Sequence, residues 1–340
     1  MSRGKVLVTG GCGYIGSHTI VDLIQEGFEV ISADNLSNSN EAVLEGIRKI
    51  TGQSVRNYAV DLCDAAATRR IFEENPKLVG VIHFAALKQV EESVFHPLRY
   101  FRNNLDSLLN VMQSMNEFGV EHLIFSSSCS VYGNVETLPA TEAESLKTPE
   151  SPYARTKQMG EAIIQDFCVA QKDFKAVILR YFNPAGAHES AFIGESPTSN
   201  ASNLVPVITE TAIGKRSKMT VFGNDYPTRD GSCVRDFIHV MDLAKAHTQA
   251  LELLLNKKNE QPCEIFNLGI GEGVTVLEAI AAFEKTTGQA LNYQIGARRA
   301  GDVIAIYANY EKAAQSLGWQ PQHGIEDIMR SAWAWEQVRG

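Results

Sequence analysis

The chain lacks a tight cysteine cluster, a long apolar run and any excess of positive charge. Its six cysteines, in 340 residues, stand at 12, 63, 129, 168, 233 and 263, with no C-x-x-C pair among them. That spacing speaks against a structural zinc site or a dense disulfide framework, and it suits a reducing cytosol. A cytoplasmic protein is therefore expected. The eight histidines form no H-x-x-x-H pair, so no metal is expected, and His18, His83 and His239 read as core-edge or loop residues. No stretch of about 18 apolar residues occurs, so no membrane span is expected. The apolar start halts after Val8, too short for the core of a signal peptide. Lys and Arg number 31 against 40 Asp and Glu, a formal charge of −9. That balance argues against nucleic acid or an anionic membrane as the main partner.

What is present is globular material. Hydrophobic residues make up 44% and charged residues 21%, which removes wholesale disorder. The length suits two domains or one enlarged domain. Short apolar runs at 5–9, 28–33, 55–60, 78–84, 122–126 and 176–179 alternate with helical periodicity at 14–26, 64–74, 98–118 and 153–171. Strands at that spacing imply right-handed crossovers and a parallel sheet covered on both faces. The expected fold class is α/β, a doubly wound parallel Rossmann sheet with a smaller mixed α/β substrate-binding domain. From about Tyr181 the rhythm changes. Residues 183–202 read as a long irregular loop, of the kind that is usually functional or mobile. Shorter elements follow at 204–214, 220–222, 240–255, 264–268 and 274–286. The boundary is placed near 180, giving a cofactor domain at 1–180 and a substrate domain at 181–340, with 237–270 expected to return to the first.

The segment TGGCGYIG follows the first run and opens the first helix. Gly11, Gly13 and Gly16 fit G-x-G-x-x-G, and Gly10, Gly13 and Gly16 fit the wider G-x-x-G-x-x-G. Glycine is needed where a tight turn brings backbone against a pyrophosphate, while the helix N-terminus supplies N–H donors. A glycine triplet alone is also an ordinary tight turn. The strand before it, the helix after it and Asp34 closing the next strand supply the specificity. An acid there accepts ribose hydroxyls and repels a 2′-phosphate, so NAD is favoured over NADP. Asp61 either reaches an adenine or caps the next helix. Phe84-Ala85-Ala86 either lets a ribose pass or is a plain strand-to-helix turn.

Tyr153 and Lys157, four apart, share one helix face. Among ten tyrosines, chance gives about half such a match at ordinary lysine usage, so position carries the argument. The pair opens the helix after the strand ending in Ser126-Ser127-Ser128. A free tyrosine, with pKa about 10, is a poor base at neutral pH. A nearby ammonium and an oxidised nicotinamide would favour its phenolate. It could then take a hydroxyl proton while hydride leaves the same carbon. Ser128 could orient and relay that proton, or the serines could simply finish a polar strand end.

These residues sit among longer motifs in a fixed order: VTGGCGYIGSH, HFAALKQVEESV, FSSSCSVYG, SPYARTK, LRYFNPAGAH, FGNDYPTRDGSCVRDFIHVMDLA, FNLG and RRAGD. Over nearly the whole chain they resemble the extended short-chain dehydrogenase/reductase superfamily, and within it the UDP-glucose 4-epimerase family. The glycine turn and Tyr-x-x-x-Lys mark only the superfamily. LRYFNPAGAH and the long FGNDYP segment are far more specific to the sugar-nucleotide 4-epimerases.

The resemblance implies Ser128, Tyr153 and Lys157 as the catalytic set. It implies NAD held by Gly10, Gly13, Tyr14, Ile15, Gly16, Asp34, Asn35, Leu36, Ser37, Asn38, Ser39, Asp61, Leu62, Phe84, Ala85, Ala86, Lys88, Asn103, Ser126, Tyr181 and Phe182, with Tyr153 and Lys157. UDP-glucose and UDP-galactose would meet Lys88, Ser128, Tyr153, Asn183, Asn203, Leu204, Thr220, Val221, Phe222, Arg235, Arg299, Asp302 and Ile306. Two guanidiniums suit a diphosphate; the lesser alternative is a surface ion pair with a neighbouring aspartate, Asp236 or Asp302. The implied activity is interconversion of the two sugars: hydride leaves sugar C4, the 4-keto sugar turns over, and hydride returns to its other face. A homodimer through the 98–118 and 153–171 helices is also implied. Departures are few: Ala86 replaces a common glycine, Ser202 one of two asparagines, and Asn309 an aspartate. Ile306 stands where the family varies with sugar bulk, which leaves a UDP-N-acetylhexosamine 4-epimerase as an alternative. Dehydratases resemble one another in carrying Asp-Glu where this chain has Cys129-Ser130, which weakens a 4,6-dehydratase reading. A nucleotide-sensing regulator or a simple keto-reductase fits the motifs less well.

Overall fold

Strands form where β-branched and aliphatic residues run together, because a parallel sheet covered on both faces needs apolar side chains on both. A computed structural model describes residues 2–135, 137–197, 201–299 and 303–339. In it the first six strands are β1 Lys5–Thr9, β2 Glu29–Ala33, β3 Arg56–Tyr58, β4 Leu78–His83, β5 His122–Ser128 and β6 Lys175–Tyr181. With Cys263–Leu268 they make one seven-stranded parallel sheet. Its order is Cys263–Leu268, β6, β5, β4, β1, β2, β3. The order reverses between β1 and β4, and ligands of such sheets bind at the strand carboxyl ends beside that reversal.

Successive side chains of β1 feed opposite layers. Val6 and Val8 join Ile20, Leu23, Leu251 and Leu254 under the helices Tyr14–Gln25 and Val240–Leu255. Leu7 joins Ile71, Leu108, Val111, Phe125 and Ile164 under Ala65–Glu74, Ser107–Phe118 and Pro152–Ala170. This is the doubly wound α/β arrangement. The Cys263–Leu268 strand lies far along the chain, yet it extends the sheet beside β6.

Beyond the sheet, three small sheets pair Asn183–Ala185 with Phe237–His239, Met219–Phe222 with Tyr293–Gly296, and Val234–Arg235 with Val274–Thr275 and Ala305–Ile306. They surround a third core of Val205, Ile208, Phe237, Ile280, Phe283 and Met329.

Several local expectations change. The 98–118 helix is Pro97–Phe101 and Ser107–Phe118, joined by a π-helical turn at Arg102–Asp106. Such a turn admits an extra residue and is common at functional sites. The 183–202 loop begins with a strand, and the 274–286 element divides into the strand Val274–Thr275 and the helix Val276–Thr287. The Val43–Thr51 helix has no counterpart in the sequence reading; Gly52, at φ 73°, closes it. His18, His83 and His239 are buried throughout rather than at the core edge. Among the described residues, no helix is long and apolar enough to cross a membrane.

Candidate active site

At the switch point the glycine turn is set by close backbone approach. Gly10 takes φ +67°, and a Cβ there would lie 2.9 Å from the Ala85 nitrogen. A Cβ on Gly16 would lie 2.2 Å from the Gly10 carbonyl oxygen. Gly13 donates to that carbonyl at 3.0 Å and begins the Tyr14–Gln25 helix as its N-cap with no side chain in the way. The turn thus leaves helix N–H groups open to an anion. Tyr14 donates from its hydroxyl to the Gly186 carbonyl at 2.7 Å, tying the turn to the second half, and Ile15 packs on the core.

Asp34 is buried, and its carboxylate accepts from the Cys12 N–H at 3.0 Å, the Leu36 N–H at 2.9 Å and the Ser39 hydroxyl at 2.8 Å. A carboxylate offers about four lone-pair sites, so room remains for a ribose hydroxyl. Asn35 accepts from the Ser37 N–H at 3.0 Å, with Asn35, Ser37 and Asn38 exposed beside it. Asp61 does not cap the next helix: Asp64 does, accepting from the Ala66 and Ala67 N–H groups. Asp61 is exposed past the end of β3, which stops at Tyr58 rather than at Asp61; Leu62 is buried behind it, and Asn103 lies in the π-helical turn. Phe84, Ala85 and Ala86 are half-buried, and the Ala85 N–H donates to the Thr9 hydroxyl at 3.3 Å. These groups form a cradle that fits a dinucleotide at the glycine turn and a diol at Asp34.

The reacting groups meet across one helix–strand contact. Ser151 caps the Pro152–Ala170 helix by accepting from the Ala154 N–H at 3.2 Å, which fixes Tyr153 in the first turn. Ser128, at the end of β5, stands beside the Tyr153 phenol closely enough to favour its ionised form. Lys157 is buried; its ammonium donates to the Ser126 carbonyl at 2.6 Å and lies 5.0 Å from the Phe125 ring centroid and 6.0 Å from that of Tyr153. Ser126 also hydrogen-bonds Tyr181 through its hydroxyl.

Burial pushes the Tyr153 phenol up to about 12, while the Ser128 side chain pulls it down. Burial also lowers Lys157 to about 8, opposed by the Glu161 charge. Desolvation thus outweighs the expected activation by lysine among the protein's own groups. The ammonium addresses the Ser126 carbonyl rather than the phenol directly.

Across the cleft, Phe222 is 44% exposed and the Arg299 guanidinium lies 5.4 Å from its ring centroid. Arg235 donates to the Val303 carbonyl at 2.7 Å and the Val234 carbonyl at 2.9 Å. Its neighbour Asp236 instead accepts from the Ile270, Gly271 and Ala308 N–H groups, so the ion pair considered between them is not formed. Asn203 precedes the Leu204–Ala212 helix and donates to Glu195 at 2.9 Å; Lys88 reaches the same carboxylate at 3.7 Å. Thr220 and Val221 lie on the Met219–Phe222 strand, and Asn183 begins the strand after β6. Ile306 is not an open wall: it is buried with Phe182, Ala140 and Ala308. Asp302 lies outside the described residues.

Two groups went unread in the sequence. Glu195 had no motif to mark it. Glu161, one turn beyond Lys157, continued the i, i+4 series from Tyr153 and was open to reading.

A parallel sheet with this switch point, a glycine cradle and a Ser–Tyr–Lys strand end define a dinucleotide-dependent enzyme of the short-chain dehydrogenase/reductase class. The family model described as GDP-mannose 4,6 dehydratase matches residues 7–332. A UDP-glucose 4-epimerase of Bacillus subtilis is 45% identical over 97% of this chain and 96% of its own. A solved UDP-glucose 4-epimerase from Stenotrophomonas maltophila, with bound NAD and formylated UDP-arabinopyranose, superposes with TM-score 0.95 at 42% identity, covering 99% of this chain and 98% of that one. Another from Bifidobacterium longum, in complex with NAD+ and UDP, gives 0.93 at 42% identity, covering 98% of each. The chain belongs to the UDP-glucose 4-epimerase family of extended short-chain dehydrogenase/reductases.

Gly16→Ala tests the cradle. A methyl at 2.2 Å from the Gly10 oxygen cannot be accommodated without moving the turn. The variant is expected to lose about 1–3 kcal/mol of stability together with its bound nucleotide. Thermal melting and nucleotide release on denaturation check both; unchanged nucleotide content would show that the turn does not hold it.

Proposed function

We propose that this protein interconverts UDP-galactose and UDP-glucose, with NAD retained through the cycle. The observation that carries the reading is the buried Lys157 ammonium on the Ser126 carbonyl, 6.0 Å from the ring centroid of Tyr153 one helical turn away, with Ser128 beside that phenol. Bound NAD+ would supply a hydride acceptor and donor for sugar C4 and a positive ring beside the phenol. Gly10, Gly13 and Gly16 would hold its pyrophosphate and Asp34 its ribose. Phe84, Ala85, Lys88, Asn103 and Phe182 would line the remainder.

Tyr153 would take the proton from the sugar O4 hydroxyl, Ser128 would orient that oxygen, and Lys157 would favour the phenolate by its charge. Phe222 would lie against uracil, while Arg235 and Arg299 would face the diphosphate. Asn183 and Asn203 would border the sugar. Most binding would then fall on the nucleotide and leave the 4-keto sugar free to turn over. Remote binding energy used in this way restrains a mobile reacting group without clamping it.

Incubation with UDP-galactose, without added NAD, is expected to yield UDP-glucose, and denaturation should release NAD in near-stoichiometric amount. Tyr153→Phe is expected to lower turnover at least ~100-fold with UDP affinity nearly unchanged. A variant retaining a tenth of wild-type turnover would remove Tyr153 as the base.

Plain hexoses are the preferred substrates in this reading. Ile306 is buried in one cluster with Phe182, Ala140 and Ala308, so its stiff branched side chain would back the sugar pocket as fixed bulk rather than line it openly. Ile306→Ser is expected to raise the relative kcat/KM for UDP-N-acetylglucosamine by ~10-fold. No change would make Ile306 a packing residue alone.

We also infer a cytoplasmic homodimer. All six cysteines are free thiols, as a reducing compartment requires. Val90, Val94, Phe95, Leu98, Leu109 and Met159 are exposed on neighbouring helices, with Phe95 at 71% and Leu98 at 75%. An apolar surface of this kind marks an association face. Sedimentation is expected to give twice the chain mass, and Leu98→Glu to shift it toward the monomer; a monomeric wild type would overturn the assignment.

A further inference from the structure

Tyr153, Lys157 and Glu161 stand at i, i+4 and i+8 on one helix face, and each meets a different residue of the strand end. Lys157 donates to the Ser126 carbonyl and Glu161 accepts from the Ser127 hydroxyl, while Tyr153 stands beside Ser128. Glu161 and Arg180 are buried at 1% and 3% exposure. Arg180 grips both carboxylate oxygens, Nε at 3.0 Å and Nη2 at 2.6 Å. Arg180 also donates to the Tyr132 hydroxyl at 3.1 Å, and that hydroxyl donates to Asn267 at 2.6 Å. The carboxylate is therefore immobile.

We infer that Glu161 is a positioning residue for the reaction: pinned by Arg180 and Ser127, its carboxylate keeps the buried Lys157 ammonium charged against the Ser126 carbonyl. The inference rests on Tyr153 being the base that Lys157 serves. A buried ammonium without a nearby anion loses its proton readily. Facing Lys157 are Tyr153 and Glu161 on its own helix, the Ser126 carbonyl and Phe125 ring on β5, and His83 at the end of β4. Tyr181 on β6 lies past Ser126, and Arg180 past Glu161. His83 is held neutral by burial, which lowers it to about 3. Burial also raises the phenol of Tyr181, so it stays protonated. Glu161 supplies the negative charge of this set.

The test reads Lys157 directly. Lysine labelled with carbon-13 at Cε is titrated by NMR in the holoenzyme, and a Lys157→Met spectrum identifies the signal. Glu161→Gln removes the anion and leaves Arg180 uncompensated, so Lys157 is expected to titrate lower by about one pH unit or more. Arg180→Gln removes a cation and is expected to move it upward. The alkaline limb of kcat should follow in each case, with KM little changed. Where a single variant fails to fold, Glu161→Gln/Arg180→Met leaves no unpaired charge and is expected to lower the titration by less than Glu161→Gln would. Shifts of the same sign in both single variants, or no shift in the variants that fold, would overturn the inference. The expected shifts in a protein that does not epimerise UDP-galactose would overturn the reaction assigned and leave the charge arrangement standing.

Discussion

The site depends on one contact, between the Ser126–Ser128 strand end and the first three turns of the Pro152–Ala170 helix. Parallel strands end in register: Ser128 lies opposite Tyr181, and Ser127 opposite Arg180. The alternation of a strand sends neighbouring side chains to opposite faces, while a helix returns every fourth residue to one face. Where the two periods meet, polar groups collect that could not otherwise be buried together. Ser151 fixes the start of the helix, and Arg180 fixes Glu161 from the neighbouring strand. Removing a buried charge partner costs about 3–5 kcal/mol, so the same ion pair that steadies the site commits the fold to it.

That commitment explains the direction of the titrations. A phenol raised to about 12 and a lysine lowered to about 8 both answer to burial. Burial favours the neutral form of each, yet the lysine stays mostly charged at neutral pH while the phenol stays protonated, so a phenolate needs further positive charge beside it. The opposite side of the cleft is looser. Phe222 and Arg299 are exposed, and Lys88 and Asn203 converge on Glu195.

Much of this was legible in the sequence because it rests on local pattern. The alternation of apolar runs and helical periods gave the parallel sheet, and Gly10–Gly16 with Asp34 gave the nucleotide turn. What escaped depends on distant partners. The π-helical turn at Arg102–Asp106 leaves no compositional trace in a helix-forming stretch. Asp61 looked able to cap the next helix, and only geometry gives that place to Asp64. Arg235 has Asp236 beside it in sequence, yet adjacent residues of a strand point apart, and Asp236 turns to three backbone N–H groups instead. Glu195 reaches Lys88 across more than a hundred residues, beyond the range of any local motif.

The end of β5 also separates two chemistries within one family. Elimination of water across C5–C6 needs one group to accept the C5 proton and another to donate to the departing hydroxyl. At that place the chain has Cys129 and Ser130. Burial pushes the Cys129 thiol up to about 12, outweighing the Arg235 charge that lowers it. A thiol so held stays protonated at neutral pH and cannot take a carbon-bound proton. Ser130 gives its backbone N–H to the Ser128 hydroxyl at 3.2 Å, so its contribution is to hold the serine that serves Tyr153. A strand end that supplies only proton exchange at one oxygen leaves hydride return as the exit for the ketone, and that return is epimerisation.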